Sequence, residues 1–182
     1  RSLVDADFAL NADAGGGAFL KDGTNIGFGL QTSEKMYQDF TFTTRNAGGH
    51  SSRPRPDNAI YELSAALKKL EAHRFIPAFT ETTRAYLQFR QRQEQGALGD
   101  AMRRWLANKD DGAAADIIEA DESEIGTTRT RCVATRLEGG HANNALPQLA
   151  RATINCRILP GVTAEAVQAE LQSVVGEAVK IE

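Results

Sequence analysis

The chain has 182 residues, and its 21 Lys and Arg against 24 Asp and Glu give a formal net charge of −3. Hydrophobic residues make up 41% and charged residues 25%, a globular composition that excludes an intrinsically disordered chain. The acidic balance argues against a nucleic-acid-binding protein, and no apolar run approaches the roughly 18–20 residues that span a bilayer. We therefore expect a soluble protein with no membrane partner, and cytoplasmic and periplasmic locations both stay open.

The cysteines and histidines limit the metal chemistry that this chain can perform by itself. The cysteines are Cys132 and Cys156, and the histidines are His50, His73 and His141. CxxC, HExxH and HxH spacings are all absent, so no self-contained zinc site of a common type is predicted. We expect buried thiols, and a disulfide would require Cα atoms within about 7 Å, which the spacing does not determine.

The first 36 residues are predicted to form short strands and turns. Residues 7–11 form a short apolar segment that leads into a glycine-rich turn at residues 14–17. Residues 21–25 have the composition of a hairpin turn, and residues 26–32 are predicted to be the returning strand.

A strand and a helix are predicted next. Phe40 and Phe42 alternate with threonines, as in a half-buried strand. A glycine-rich loop covers residues 46–56, and Asp57 is predicted to cap the following helix. The apolar face of that helix is formed by residues at spacings of three or four, namely Ile60, Leu63, Leu67 and Leu70.

Residues 75–124 are predicted to be a helical insertion. Helices are expected within residues 75–95, 98–108 and 113–120. Blocks of opposite charge follow one another here, and we interpret them as solvated helix faces rather than as partner sites.

The last third of the chain returns to an alternating pattern. Strands are predicted at residues 128–137 and 149–159, and the second places Cys156 towards the core and Arg157 away from it. Thr163 is expected to cap a helix, and residues 178–182 to form a last strand. The order from residue 37 is β-α-β-β-α-β, which predicts an α+β fold: a ferredoxin-like two-layer sandwich with an antiparallel sheet and helices on one face.

Two glycine-rich loops are candidate functional segments. The first is GGHSS at residues 48–52, between a strand and a helix, where paired glycines allow close backbone approach and expose His50. A turn with a solvent histidine is the alternative, and a phosphate-binding loop is disfavoured because GxGxxG and GxxxxGK are absent. The second runs from Gly139 to Pro147 with two asparagines, and Arg157 follows it; asparagine alone serves turn geometry and a strand arginine commonly faces water.

Together these segments resemble the di-zinc aminoacylase and carboxypeptidase family, which includes glutamate carboxypeptidase and succinyl-diaminopimelate desuccinylase. The first match is GGHSSRP at residues 48–54 with DNAI at 57–60. The second is GG at residues 139–140 leading to NALP at 144–147, where the family commonly has NVIP. The third is NCR at residues 155–157 with Pro160, where the family often has an acidic residue, an apolar residue and arginine. The three occur in the order of the family and at its approximate spacing.

The resemblance implies a domain organisation. Members have a catalytic domain with two zinc ions and a smaller ferredoxin-like domain that acts as a lid and forms the dimer. Residues 1–36 would then be a lead-in from the catalytic domain. Residues 37–182 would be the lid and dimerisation domain, carrying the insertion at 75–124.

The resemblance also implies roles for individual residues. His50 would reach the active site, commonly that of the other subunit, and stabilise the oxyanion of the tetrahedral intermediate. Asn144, with its neighbour Asn143, would contact the substrate, and Arg157 would hold a substrate carboxylate. Asp13 would be a zinc ligand, with a turn aspartate as the alternative.

Several family segments are absent from the chain: the His-x-Asp segment, the paired glutamates and the last zinc histidine. Two zinc ions are therefore expected in the full-length enzyme, none on this fragment, and no catalysis by the fragment alone. The predicted function is the dimerisation and substrate-binding lid of a zinc-dependent enzyme that hydrolyses peptides or N-acyl amino acids and acts as a homodimer. The alternatives are an independent ferredoxin-like ligand-binding or regulatory module and a purely structural oligomerisation domain.

Overall fold

A computed structural model describes residues 16–19, 22–29 and 31–182. The chain divides into two units, residues 1–34 and residues 35–182. The predicted segments at residues 7–11 and 14–15 and the candidate ligand Asp13 lie outside the described residues.

The first unit contains the predicted hairpin. Strands β1 (Gly16–Phe19) and β2 (Asn25–Gly29) pair antiparallel. The carboxylate of Asp22 accepts a hydrogen bond from the Thr24 N–H at 2.9 Å, which stabilises the turn between the strands. The returning strand begins one residue earlier than predicted and ends at Gly29, because that residue pairs with the first residue of β1.

The second unit contains a four-stranded antiparallel sheet with the strand order β5-β7-β3-β8. This order and the chain connectivity confirm the predicted ferredoxin-like sandwich with a helical insertion. Its elements are β3 (Met36–Arg45), β4 (Gly49–His50), α1 (Ala59–Ala72), α2 (Glu81–Arg90), α3 (Gly96–Ala107), α4 (Gly112–Ala120), β5 (Arg131–Gly139), β6 (Ala145–Leu146), β7 (Leu149–Ile158), α5 (Ala164–Val175) and β8 (Lys180–Ile181).

The main core lies between the sheet and the helices α1 and α5. Alternation along β7 buries Ile154, Cys156 and Ile158 and leaves Arg157 exposed, as predicted. The buried faces of the two helices meet this side of the sheet, and burial of such apolar side chains is the main stabilising contribution. The opposite face of the sheet carries mainly polar side chains.

The caps of the two core helices show where a local pattern is ambiguous. Thr163 caps α5 as predicted, since its hydroxyl accepts from the Ala166 N–H. The prediction of Asp57 as the cap of α1 is wrong: Asn58 caps that helix and accepts from the N–H groups of Ile60 and Tyr61 at 3.0 and 3.1 Å. Asp57 is engaged elsewhere, by Arg55 and by the loop before the helix.

Strand β5 begins later than predicted, at Arg131 rather than at residue 128. Thr128 and Thr130 are buried, and their hydrogen bonds go to groups outside the backbone pairing of the sheet. Thr128 donates through its N–H and its hydroxyl to Glu119 Oε1, and the Thr130 hydroxyl accepts from the Leu159 N–H. These bonds replace strand pairing at residues 128–130.

The expectation of free thiols is wrong, because Cys132 and Cys156 form a disulfide. They are register partners on the neighbouring strands β5 and β7, with Cα atoms 4.1 Å apart. Closing a loop between positions 24 residues apart is worth about 3 kcal/mol of stability. The closed loop contains Asn143 and Asn144, so the disulfide ties together the two strands that carry that segment.

The insertion has a hydrophobic core of its own. Helices α2, α3 and α4 pack around Trp105, which is fully buried, and Phe79 stacks on it with ring centroids 4.1 Å apart. The other buried members are Leu87, Ala101, Met102, Ala114, Ala115 and Ile118. The insertion is therefore a packed subdomain rather than a loose loop.

Two carboxylates of the insertion are buried, which corrects the interpretation of its charges as solvated; Glu119 connects the insertion to β5, and Glu124 bonds within the insertion. Glu119 is buried and accepts from the Gly126 N–H, from Thr128 and from Arg131 Nη1. Glu124 is fully buried and accepts from the Tyr86 hydroxyl and from Arg90 Nε. Paired buried charges of this kind fix an arrangement, because removing one partner leaves the other uncompensated.

None of the helices in the part of the chain that the structure describes is long and apolar enough to cross a membrane.

Candidate functional site

The two glycine-rich loops lie side by side in the structure. Strands β4 and β6 pair antiparallel, with Gly49 opposite Leu146 and His50 opposite Ala145. The Ser51 N–H also donates to the Asn144 carbonyl at 3.0 Å. The sequence predicted both segments as loops, and the two-residue strands are too short to produce an alternating pattern. This pairing joins the first two family-like motifs into one exposed structure.

Close packing explains the glycines at this point. Gly48 has φ +74°, and a Cβ there would lie 2.6 Å from Cγ of Gln148. Gly49 has φ +151°, and a Cβ there would meet the Leu146 side chain at 3.3 Å. A larger residue at Gly48 would both strain the backbone and displace the second loop.

His50 is exposed, and its ring has a defined hydrogen-bond pattern. Nδ1 accepts from the Ser52 N–H at 3.2 Å and lies 2.8 Å from the Ser52 hydroxyl. Since a backbone N–H can only donate, this pattern assigns the proton of the neutral ring to Nε2. Nε2 bonds to none of the residues in the described ranges, so the ring presents an outward-facing N–H donor.

Asn143 and Asn144 are both exposed in the turn before β6. Among the described residues neither side-chain amide has a hydrogen-bond partner. Asn144 contributes its backbone carbonyl to the pairing with Ser51, so its position relative to His50 is fixed by the main chain. Its side chain is available to a substrate or to another subunit.

Asn46 positions the loops, and sequence reasoning missed it. Its N–H donates to the Gln148 carbonyl at 3.0 Å, and its side-chain amide donates to Asp57 at 2.9 Å and to Glu62 at 3.1 Å. The Arg55 guanidinium and the Asn46 amide lower the pKa of Asp57 to about 2. The backbone and side chain of Asn46 together connect the end of β3 to both motif loops and to the start of α1. The position of Asn46 just before the paired glycines is the feature of the sequence that could have identified it.

Arg157 lies at the other end of the sheet. It follows Leu149 by eight positions along β7, which corresponds to about 26 Å. The motif loops lie beside the start of β7, where the Gln148 carbonyl accepts from Asn46. The structure therefore brings His50 and Asn144 together and keeps Arg157 of the same chain apart from them.

The surroundings of Arg157 are cationic. It is the register partner of Arg131 on one side and of Tyr37 on the other. Lys35 is half-buried, and its burial lowers the pKa of its ammonium; Glu119 opposes this shift, while the positive charges of Arg131 and Arg157 add to it. Arg131 is paired with Glu119, whereas Arg157 forms no ion pair among the described residues, and this unpaired charge favours an anionic ligand at this corner of the sheet.

Metal ligands are not gathered in the described part of the chain. Across residues 16–19, 22–29 and 31–182, no group of three or more His, Cys, Asp or Glu side chains is placed to hold a metal ion. The candidate ligand Asp13 lies outside these ranges.

Comparison with known proteins identifies the family. The family model described as a peptidase dimerisation domain, M20_dimer, matches residues 32–181. The chain therefore belongs to the dimerisation domains of the M20 metallopeptidase family, as the sequence motifs indicated.

Curated relatives and a solved structure agree with this assignment. The chain is 30% identical over 130 residues to a probable carboxypeptidase S-like 2 of Dictyostelium discoideum, covering 71% of this chain and 24% of that protein. It is 28% identical over 140 residues to N-fatty-acyl-amino acid synthase/hydrolase PM20D1 of Mus musculus, covering 76% of this chain and 27% of that protein. It thus spans about a quarter of the length of these relatives.

The fold is also similar to that of an M20 family metallo-carboxypeptidase, Sso-CP2, of Sulfolobus solfataricus. The TM-score is 0.50 at 15% identity, over 82% of this chain and 43% of that chain. At this identity the similarity concerns the fold.

Proposed function

We propose that this domain is the dimerisation and substrate-contacting lid of a zinc-dependent hydrolase that cleaves amide bonds of peptides or N-acyl amino acids. The observation that carries the proposal is the β4–β6 pairing, which places an exposed N–H donor on His50 beside Asn144. Zinc ions held by the catalytic part of the enzyme would polarise the amide carbonyl and supply a hydroxide. The described residues provide no ligand set for these ions, so the contribution of this domain is substrate contact.

Each of the substrate-contacting residues has a role that fits its geometry. His50 Nε2–H donates to the carbonyl oxygen as negative charge develops there. The Asn144 amide, with Asn143 beside it, contacts the substrate backbone. Arg157 binds the substrate carboxylate, since its guanidinium can form a paired hydrogen bond with both oxygens.

The separation of these residues indicates how two subunits share a site. Arg157 lies about 26 Å along β7 from Leu149, the end of the strand beside which His50 and its loop lie, so one small substrate would not touch both residues of the same chain. A two-fold dimer resolves this by placing His50 and Asn144 of one protomer opposite Arg157 of its partner. The homodimer is thus part of the proposed mechanism.

The edge strand β5 is the proposed dimer surface. Among the strands that the structure describes it pairs with β7 alone, so its outer backbone groups are open to another strand. Val133 and Leu137 on this strand are 54% and 66% exposed. Ile60 of α1 extends the apolar surface, since it lies beside Gly139 at the end of β5. A free edge with exposed apolar side chains favours pairing with a second copy.

A hydrolysis panel tests the proposed activity. We expect the complete enzyme with zinc to hydrolyse members of a panel of dipeptides, N-acetyl amino acids and N-fatty-acyl amino acids, and the 182-residue chain to hydrolyse none. Released amino acid is the measurement. Turnover by the chain itself would contradict the proposal, because it would require a catalytic centre within this domain. Inactivity of the folded, zinc-loaded enzyme on every member would contradict the proposed substrate class.

Replacing Leu137 by Asp is expected to weaken the dimer at least tenfold. The substitution places a charge on the exposed apolar edge of β5 and duplicates it at a two-fold interface, where like charges would face each other. The dissociation constant is measured by analytical ultracentrifugation. Val162→Asp is the matched control, because Val162 is also exposed but lies in the turn before α5. An unchanged dimer in L137D would show that β5 is not the interface.

A further inference from the structure

We propose that Tyr37 and Asp39 are positioning residues that keep the Arg157 guanidinium oriented and free for a substrate carboxylate. The inference rests on the proposed role of Arg157 in substrate binding and extends it to the neighbouring strand. Tyr37 acts twice: its ring supports Arg157, and its hydroxyl holds the one nearby carboxylate that competes for Arg157.

The ring contact is direct. Tyr37 and Arg157 are register partners on β3 and β7, so their side chains project from the same face of the sheet. Cζ of Arg157 lies over the Tyr37 ring, 4.8 Å from its centroid. A guanidinium stacked on an aromatic face is attracted to it and keeps its hydrogen-bonding edge outward. The ring therefore restricts the directions in which the guanidinium can point.

Asp39 is held by two donors. The Tyr37 hydroxyl donates to Oδ2 of Asp39 at 2.9 Å, and Nδ2 of Asn155 donates to Oδ1 at 2.7 Å. Asn155 is the register partner of Asp39, so these bonds cross the same pair of strands as the ring contact. Both carboxylate oxygens of Asp39 are thus occupied by neutral donors.

Because Asp39 is held by these hydrogen bonds, it does not pair with Arg157 and leaves the charge of the guanidinium uncompensated. Asp39 and Arg157 are diagonal neighbours on adjacent strands, with a separation of about 7–8 Å that long side chains can close. An Asp39–Arg157 ion pair would neutralise the guanidinium, yet within the described ranges no carboxylate lies at ion-pair distance from it. The Tyr37 phenol is protonated at neutral pH in any case, and its hydrogen bond to Asp39 raises its pKa further.

The unpaired charge of Arg157 indicates the chemical class of the ligand. Arg157 lies beside Arg131 and interacts electrostatically with the half-buried Lys35. This corner suits the carboxylate of an amino acid or peptide and disfavours the corresponding carboxamide, which carries no charge.

The test compares an N-acyl amino acid that the complete enzyme hydrolyses with the C-terminal amide of the same compound. Tyr37→Phe keeps the ring but releases Oδ2 of Asp39, which can then pair with Arg157. We expect this variant to raise KM for the acid about threefold, as for competition by a surface ion pair, with kcat and the KM of the amide unchanged. The double variant Tyr37→Phe/Asp39→Asn removes the competing charge and is expected to restore KM. Tyr37 and Asp39 are both exposed, so these variants should fold normally.

Arg157→Met separates the two proposals. If this variant raises KM for the acid but Tyr37→Phe does not, the positioning inference is wrong and the role of Arg157 stands. If Arg157→Met leaves the acid-to-amide preference unchanged, the carboxylate role of Arg157 is wrong, and the inference falls with it. Failure of the double variant to restore KM would show that Tyr37 does not act through Asp39.

Discussion

Replacing His50 by Ala in the complete enzyme is expected to lower kcat by about 10²–10³-fold, because a fixed donor to the developing oxyanion is lost. KM should change little, since the donor acts mainly when negative charge forms on the carbonyl oxygen. His50 is exposed and its ring bonds only within its own loop, so the variant should keep its stability. The measurement is steady-state kinetics on the preferred substrate of the hydrolysis panel.

His141 provides a matched control for this experiment. It is an exposed histidine in the neighbouring glycine-rich loop, two residues after β5, and the resemblance implies no role for it. His141→Ala should retain the kcat of the unmodified enzyme. An equal loss in both variants, or no loss in His50→Ala, would refute the proposed oxyanion contact.

Mixing two impaired variants, assayed on the acid substrate below its KM, tests whether the site is shared between subunits. In a heterodimer of His50→Ala and Arg157→Met protomers, a shared arrangement leaves one site with both residues intact and the other with neither. Random reassortment should then restore about one quarter of the unmodified activity. If each protomer supplies both residues to its own site, mixing restores nothing, and the two-subunit arrangement is wrong.

Trp105→Ala is expected to destabilise the insertion by about 3–5 kcal/mol, the usual cost of removing a fully buried large aromatic side chain. The indole fills the centre of the three-helix cluster, stacks on Phe79 and donates from Nε1 to the Lys109 carbonyl. This cluster is separate from the core between the sheet and helices α1 and α5. We therefore expect faster amide hydrogen exchange in α2, α3 and α4 while β3 and β7 remain protected.

Phe89→Ala is the matched control for this loss of stability. Phe89 is an aromatic residue of the same insertion, on α2, but it is half exposed and outside the buried cluster. Its removal should change the exchange rates little. Equal loss of protection in β3 and β7 after Trp105→Ala would show that the insertion and the sheet unfold as one cooperative unit.

Local patterns in the sequence predicted much of this domain correctly. Alternation along residues 149–159 placed Cys156 inside and Arg157 outside, because successive side chains of a strand point to opposite faces whatever lies around them. The Thr163 cap of α5 depended only on residues within one helical turn. The chain order of strands and helices predicted the ferredoxin-like topology, and three short motifs identified the family.

Tertiary structure decided the features that depend on contacts between residues far apart in the sequence. The Cys132–Cys156 disulfide follows from the register of β5 against β7, which the spacing of the cysteines does not contain. Asn58 caps α1 because Asp57 is held by Asn46 from a different segment. The burial of Glu119 likewise depends on groups that the fold brings to it.

The candidate site also combines features that local sequence predicts with features that only the tertiary structure determines. Its residue types could be read from short stretches, since each motif is local. The pairing of His50 with Ala145 and the distance of this pair from Arg157 required the sheet, because contacts between residues far apart in sequence are set by strand register and loop paths. The sequence by itself therefore supplied the candidate residues, and only the tertiary structure decided which of them lie close together in one chain.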